Sequence, residues 1–97
     1  MLPFKLTSLA KRDLKKIAVY TENKWGTAQR NHYLLQFDQC FHALAESPTL
    51  GNACDYIKIG YRKFPQGGHL IFYRIGPDDV LEIIRILHKS MDVDMKL

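Results

Sequence analysis

The spacing of apolar residues changes once along this chain, and the change separates a helical first half from a strand-forming second half. Before Ser47-Pro48, apolar side chains recur every three or four residues, which is the period of an α-helix. After this point, β-branched and aromatic residues dominate three runs at residues 56–64, 69–75 and 80–88. A chain of 97 residues has room for one domain, so both halves are expected to share a core.

Two amphipathic helices are predicted in the first half. Ser8 is expected to cap the first helix, whose core-facing stripe is Ala10, Leu14, Ile17, Ala18, Thr21 and Trp25. Gly26 breaks that helix, and Thr27 is expected to cap the second. The stripe of the second helix is Leu34, Phe37, Phe41, Leu44 and Ala45. Because two or three residues join the helices, they are expected to form an antiparallel hairpin.

The second half predicts a sheet that covers this hairpin. Short turns at residues 65–68 and 76–79 make the three strands antiparallel neighbours. The run at 80–88 is apolar on both alternating faces, which indicates a central strand, and a short strand at 4–7 completes the sheet. The prediction is an α+β domain of order β-α-α-β-β-β, with a helical hairpin on a mainly antiparallel four-stranded sheet. The domain covers residues 1–97, and its tail at 89–97 lacks periodicity, as mobile termini do.

Composition and charge limit which kinds of binding partner and which cellular location are expected. Fourteen Lys and Arg against ten Asp and Glu give a net charge of +4, which favours an acidic partner, either nucleic acid or protein. Cys40 and Cys54 fit neither a CxxC pair nor a zinc spacing, so both are expected to be reduced. The amino terminus has no signal-peptide core, and no apolar run reaches the roughly 18 residues of a membrane span. The expected location is cytoplasmic, with no membrane partner.

The sequence contains none of the standard catalytic or cofactor motifs. GxxxxGK, GxGxxG, HExxH and GxSxG are all absent. His69 begins one predicted strand and His88 ends another, so their side chains could approach each other across the sheet. Zinc would still need further ligands. We therefore predict no metal, no cofactor and no catalytic residue.

A group of basic residues lies on the predicted strands, and two interpretations of it are open. Its members are Arg62, Lys63, Arg74, Arg85 and His88. Arg74 and Arg85 lie among apolar residues and must find a charge partner, so one interpretation is an internal salt bridge to Glu82 or Asp55. The other is a basic concave surface on the sheet face away from the helices, where an acidic partner or an RNA backbone could bind.

Strand alternation bears on whether these residues could cut RNA. In a regular strand, Arg85 and His88 point to opposite faces, so they cannot converge on one phosphate. A bulge near Leu87 could bring them together, but no glycine indicates one. A metal-free ribonuclease also needs a second acid or base at the same phosphate. The residues therefore favour binding over catalysis.

Two stretches resemble a known family. Residues 60–73, GYRKFPQGGHLIFY, and residues 84–92, IRILHKSMD, resemble ParE-type toxins of the RelE/ParE superfamily, and Trp25-Gly26 between the helices agrees. The resemblance implies the toxin of a type II toxin–antitoxin system. It also implies a ParD-like antitoxin, which has a DNA-binding dimerisation domain and wraps a disordered segment around the toxin. The free toxin would trap DNA gyrase on cleaved DNA and stop replication, and would meet DNA only through gyrase or the antitoxin.

The resemblance implies a set of target-binding residues and leaves two alternatives. The set is Arg62, Lys63, Arg74, Arg85, His88, Lys89, Met91 and Asp92. Met91 is a departure, because ParE sequences often have Arg there. In the RelE branch, a ribosome-dependent mRNA endoribonuclease, Arg62 or Lys63 and Arg85 would hold the phosphate and His88 would be the acid. The last alternative is a member that no longer kills and serves only as a partner for the antitoxin.

Overall fold

A computed structural model describes residues 2–91 and residue 97 of the chain. The elements, in chain order, are β1 (Phe4–Leu6), α1 (Ser8–Trp25), α2 (Thr27–Glu46), a 3-10 helix (Pro48–Leu50), β2 (Asn52–Ala53), β3 (Arg62–Gln66), β4 (His69–Ile75) and β5 (Leu81–His88). Within the described part of the chain, neither helix is long and apolar enough to cross a membrane.

The sheet has five strands in the order β1-β5-β4-β3-β2, and its pairs are antiparallel except for the parallel pair β1 and β5. The α+β architecture, the helical hairpin and the central position of β5 confirm the sequence prediction. The prediction missed β2, which adds a two-residue edge to β3. It also placed residues 56–61 in a strand, whereas they form a turn between β2 and β3.

Apolar clusters lie on both faces of the sheet, which explains why β5 is apolar on both sides. The first cluster joins helix residues Ala10, Ile17, Phe37, Phe41 and Leu44 to strand residues Ile71, Tyr73, Leu81, Ile83 and Ile86. The second is formed by Cys54, Tyr61, Phe72 and Leu87, with Ile57, Leu70, Ile84 and Leu97 packed around it. The helices therefore cover one face, and the β2–β3 turn and the carboxyl-terminal Leu97 contribute to covering the other.

Three details of the helices differ from the prediction. Thr7, not Ser8, caps α1, because its Oγ1 accepts a hydrogen bond from the Ala10 N–H at 3.1 Å. Gly26 precedes α2 with a φ of 93°, which glycine adopts without strain, so Thr27 is already the first helical residue. Trp25 was predicted to be buried but is 64% exposed, because α1 ends there, past the edge of the core.

Candidate binding groove

The buried carboxylate of Asp13 on α1 hydrogen-bonds to the part of β5 that β1 does not pair with. β1 pairs with β5 only as far as Ile83, so the rest of that edge lacks a neighbouring strand. Asp13 takes over there: its Oδ2 accepts from the Ile86 N–H at 3.0 Å and from Arg85 Nε at 2.7 Å, and its Oδ1 accepts from Arg85 Nη2 at 2.8 Å. The hydrogen bond with Asp13 raises the pKa of Arg85 further above its usual value. The Arg85 guanidinium is therefore an internal partner of Asp13.

The sequence analysis missed Asp13, although one signal was present. Asp13 lies three residues after Ala10 and next to Leu14, which places it at the spacing of the buried stripe of α1. A carboxylate at such a position requires hydrogen-bond donors, because a buried charge without them is strongly unfavourable. What the sequence did not reveal was that the donors lie 72 and 73 residues further along the chain.

A bulge in β5 changes which face its last residues occupy. Phe72 of β4 pairs with Arg85, but the next residue, Tyr73, pairs with Ile83, so Ile84 is an extra residue. After the bulge, Ile86 lies in the helix-side cluster and Leu87 in the opposite one. The prediction of a regular strand was therefore wrong, and so was the inference that the sheet separates Arg85 from His88: the Arg85 guanidinium reaches Asp13 on α1, and Asp13 and His88 line one pocket. The bulge lies at Ile84 and not near Leu87, and it forms without a glycine.

Two imidazoles meet on the helix-covered side at the end of the sheet. His69 and His88 are cross-strand partners whose rings are 5.5 Å apart in an edge-on arrangement, as their positions at strand ends predicted. The Tyr33 hydroxyl lies 2.9 Å from His69 Nδ1, and Ser90 Oγ lies 2.7 Å from His88 Nδ1. Burial lowers the pKa of His69, the nearby His88 lowers it further, and Asp13 opposes both. His69 therefore favours the neutral form.

These histidines line a groove along α1, which we call the α1 groove. At one end its lining includes Asp13, Lys16, Ile17, Ile86 and Met91, and at the other Thr21, Trp25, Gln29, Tyr33, Gly67 and Gly68. Tyr20, His69 and His88 line both ends, so the groove is continuous. Tyr20 is 62% exposed, and Lys24 Nζ lies 5.6 Å from its ring centre and 5.7 Å from that of Trp25. Exposed aromatic rings beside cations suit an amphipathic segment that carries acidic groups.

The strand cations do not form the single basic surface that one interpretation of the sequence predicted. Arg62 pairs with Tyr73, whose side chain faces the helices, whereas Lys63 pairs with Phe72, which faces the opposite cluster. The Arg62 guanidinium donates to the Gly51 carbonyl at 2.7 Å. Lys63 Nζ lies 2.8 Å from the Tyr56 hydroxyl.

The internal salt-bridge interpretation is confirmed for Arg74, whose Nε donates to Glu82 Oε1 at 2.7 Å. For Arg85 the predicted carboxylates were wrong, because its partner is Asp13. Asp55 instead accepts the Gly60 N–H at 2.7 Å and stabilises the β2–β3 turn. The Arg74 hydrogen bond, opposed by partial burial, lowers the pKa of Glu82.

The remaining predicted target-binding residues lie at or beyond the end of β5. His88, Lys89 and Met91 are exposed, and Asp92 lies outside the described residues. Within residues 2–91 and 97, no three His, Cys, Asp or Glu side chains are grouped as metal ligands. Near the described carboxyl terminus, Leu97 packs against the Cys54 and Tyr61 cluster.

Comparison with known proteins gives the class to which this fold and groove belong. Residues 4–93 match the family model described as the ParE toxin of the type II toxin–antitoxin system parDE. The chain belongs to the ParE toxin family of type II toxin–antitoxin systems, as the two strand motifs predicted.

Individual relatives agree with this assignment. The chain is 37% identical to Toxin ParE1 of Mycobacterium tuberculosis and 38% identical to Toxin ParE1 of Caulobacter vibrioides, each over 95% of this chain and 94% of the relative. A solved structure described as the chromosomal ParDE TA system from P. aeruginosa contains a chain of the same fold. Its TM-score is 0.76 at 18% identity, over 91% of this chain and 96% of that one.

Proposed function

We propose that this ParE-family chain poisons DNA gyrase by protein binding and blocks replication until a ParD-like antitoxin neutralises it. The observation that carries the proposal is the Asp13–Arg85 pair. A ribonuclease would use the Arg85 guanidinium to stabilise charge on a phosphate. Here that cation is held at 2.7 and 2.8 Å by an internal carboxylate, which neutralises it. Family membership and this engaged arginine together favour a binding role.

Poisoning requires a preference between two states of the target. A ligand shifts an equilibrium only by its difference in affinity for the two states, so the toxin must bind gyrase on cleaved DNA more tightly than gyrase on resealed DNA. The contacts would come from Arg62, Lys63, Arg74, Arg85, His88, Lys89, Met91 and Asp92. The exposed His88, Lys89 and Met91 would touch the target directly. Arg85 would act indirectly, by holding Asp13 and the end of β5 in position, because Asp13 already binds it.

A deletion tests the tail. Removing residues 91–97 is expected to weaken gyrase poisoning while the toxin remains folded. Leu97 also packs on the sheet, so Leu97→Ser is the control that reports lost packing without removing Met91 and Asp92. Unchanged poisoning by the deleted chain would exclude the tail from the contact.

The α1 groove is the proposed contact for the antitoxin. Its exposed Tyr20 and Trp25 offer apolar area, and Lys16 and Lys24 lie close by. A disordered acidic segment that folds on contact would cover this area, and the net charge of +4 would accelerate the encounter. Neutralisation would follow if the bound segment also covers the exposed end of β5, where His88 and Met91 line the same groove.

One experiment separates the proposed function from its alternatives. Purified toxin is mixed with gyrase, ATP and supercoiled plasmid, and the expected result is linear DNA after denaturation of the protein, prevented by added antitoxin. In parallel, a translation reaction with labelled mRNA is assayed for cleavage. Cleaved mRNA without linear plasmid would establish the ribonuclease alternative. Neither product, together with normal growth on induced expression, would indicate a member that no longer kills.

A further inference from the structure

Two large apolar side chains project from the turn that joins β2 to β3. Ile59 is 88% exposed and Tyr56 is 74% exposed, which makes them the most exposed large apolar residues in the described part of the chain. They lie three residues apart, on the side of the sheet opposite the helices. Single exposed apolar residues are common, but a neighbouring pair on one projecting turn is typical of an interaction site.

The turn that carries them is held in place by its own backbone. The Cys54 N–H donates to the Tyr61 carbonyl at 2.9 Å, and the Ile57 and Lys58 N–H groups donate to the Cys54 carbonyl at 2.9 and 3.1 Å. Cys54 and Tyr61 are buried against Phe72 and Leu87. Both ends of the turn are therefore fixed to the core, and little conformational entropy would be lost when Tyr56 and Ile59 are covered.

Charge around the turn indicates the kind of surface that would cover it. Lys58 and Lys63 flank the apolar pair: Lys63 Nζ lies 5.6 Å from the ring centre of Tyr56, and Lys58 Nζ lies 5.5 Å from that of Tyr61. The one carboxylate on the turn, Asp55, accepts the Gly60 N–H. An apolar centre with a basic rim is complementary to an apolar pocket edged by carboxylates on a folded protein. Nucleic acid fits less well, because Ile59 offers neither charge nor a stacking surface.

We propose that the β2–β3 turn is a second contact with the poisoned enzyme, in which Tyr56 and Ile59 enter an apolar, carboxylate-edged pocket on gyrase. This inference rests on the proposed function. It places one target contact on the sheet face opposite the α1 groove. The antitoxin would then have to neutralise the toxin by blocking the end of β5, without covering this turn.

The test compares two double variants of the full chain. Tyr56→Ser/Ile59→Ser removes the projecting apolar pair. Leu9→Ser/Leu35→Ser removes two other exposed apolar residues, which are 42% and 54% exposed and lie on α1 and α2, and serves as the matched control. For both variants and the unaltered chain, one measures the thermal midpoint, binding to immobilised gyrase, plasmid linearisation and binding to the antitoxin. The single variants Tyr56→Ser and Ile59→Ser are carried alongside in case the double variant does not fold.

The expected result is at least about a tenfold loss of gyrase binding and linearisation for the turn variants only, with antitoxin binding and the thermal midpoint unchanged. Turn variants that bind and poison as well as the unaltered chain would overturn the inference and leave the proposed function standing. Loss of antitoxin binding instead would assign the turn to the antitoxin, which also overturns it. An unaltered chain that neither binds gyrase nor linearises plasmid would overturn both proposals.

Discussion

Arg85 of β5 and Asp13 of α1 lie 72 positions apart in the chain and are joined by two hydrogen bonds of 2.7 and 2.8 Å between mostly buried side chains. The same carboxylate accepts the Ile86 N–H, so it replaces the neighbouring strand that β5 lacks beyond Ile83. One acidic residue thus satisfies a sheet edge and neutralises an arginine. It joins α1 to the sheet in addition to the packing of Ala10 and Ile17.

Asp13→Ala is expected to destabilise the fold by about 3 kcal/mol, because it leaves the Arg85 charge and the Ile86 N–H without their acceptor. Urea unfolding measures the loss. Arg74→Ala is the control, since its ion pair is more exposed on the arginine side, at 40%, and Lys5 still faces Glu82 at 3.4 Å in the variant, so its effect is expected to be much smaller. Equal losses for Asp13→Ala and Arg74→Ala would contradict a structural role for Asp13.

Tyr73→Phe tests a hydrogen-bonded hydroxyl at the edge of the core. The Tyr73 hydroxyl accepts from the Gly51 N–H at 2.8 Å and donates to the Pro48 carbonyl at 2.6 Å, and the residue is fully buried. Removing the hydroxyl leaves the buried Gly51 N–H without an acceptor, so we expect the free energy of unfolding in urea to decrease by about 1 to 3 kcal/mol. Tyr20→Phe removes an exposed hydroxyl and is expected to change stability little. If Tyr73→Phe and Tyr20→Phe unfold at the same urea concentration, the Tyr73 hydroxyl does not contribute to stability as expected.

The lowered pKa of His69 predicts that the folded protein becomes less stable as the pH decreases. The folded state resists protonation of His69, whereas the unfolded chain takes up a proton near the usual pKa of 6.5. The unfolded state then binds more protons, and the thermal midpoint should decrease from pH 7.5 to 5.5, a range in which carboxylates remain ionised.

His69→Gln is expected to reduce this decrease. His88→Gln should reduce it less, because burial is the larger cause of the lowered pKa and His88 the smaller. The groups around His69 are otherwise Asp13 from α1 and Tyr33 from α2, and both variants keep them. An unchanged pH dependence in His69→Gln would show that another group is responsible.

Trp25 is the only tryptophan, and it lines the α1 groove. If the antitoxin binds there, the fluorescence maximum of Trp25 should shift to shorter wavelength on complex formation, because the exposed indole becomes buried. Trp25→Ser is expected to weaken antitoxin binding about tenfold, as loss of an interface aromatic commonly does. Leu35→Ser on the outer side of α2 serves as the control. An unshifted emission in a complex that forms normally would place the antitoxin elsewhere.

The helices, the order of elements and the central position of β5 followed from the sequence because each depends on local spacing. The apolar period identifies α1 and α2, and a strand apolar on both faces must lie between two covering layers. The approach of His69 to His88 followed as well, since the short turn after β4 fixes which strand ends meet. These features need no knowledge of distant contacts.

Local spacing in the sequence could not predict the partner of Arg85 or the bulge at Ile84. Both depend on where α1 lies over β5, because the donors to Asp13 are 72 and 73 positions away in the chain. The exposure of Trp25 likewise depends on where the sheet ends beneath α1. The composition of the β2–β3 turn, rich in Tyr and Ile, is typical of a strand, and the hydrogen bonds back to Cys54 and Asp55 that make it a turn appear only in the structure.

The extra residue at Ile84 decides which side chains of β5 face α1. Ile83 before the bulge and Ile86 after it both reach the helix-side cluster, although they lie three positions apart and strict alternation would send them to opposite layers. Deleting Ile84 would therefore restore strict alternation without exchanging any face: Leu87 would stay in the opposite layer and His88 would stay across from His69. A ParE relative that lacks one residue at this point would present the same side chains to α1, so its alignment with this chain needs a gap at the bulge.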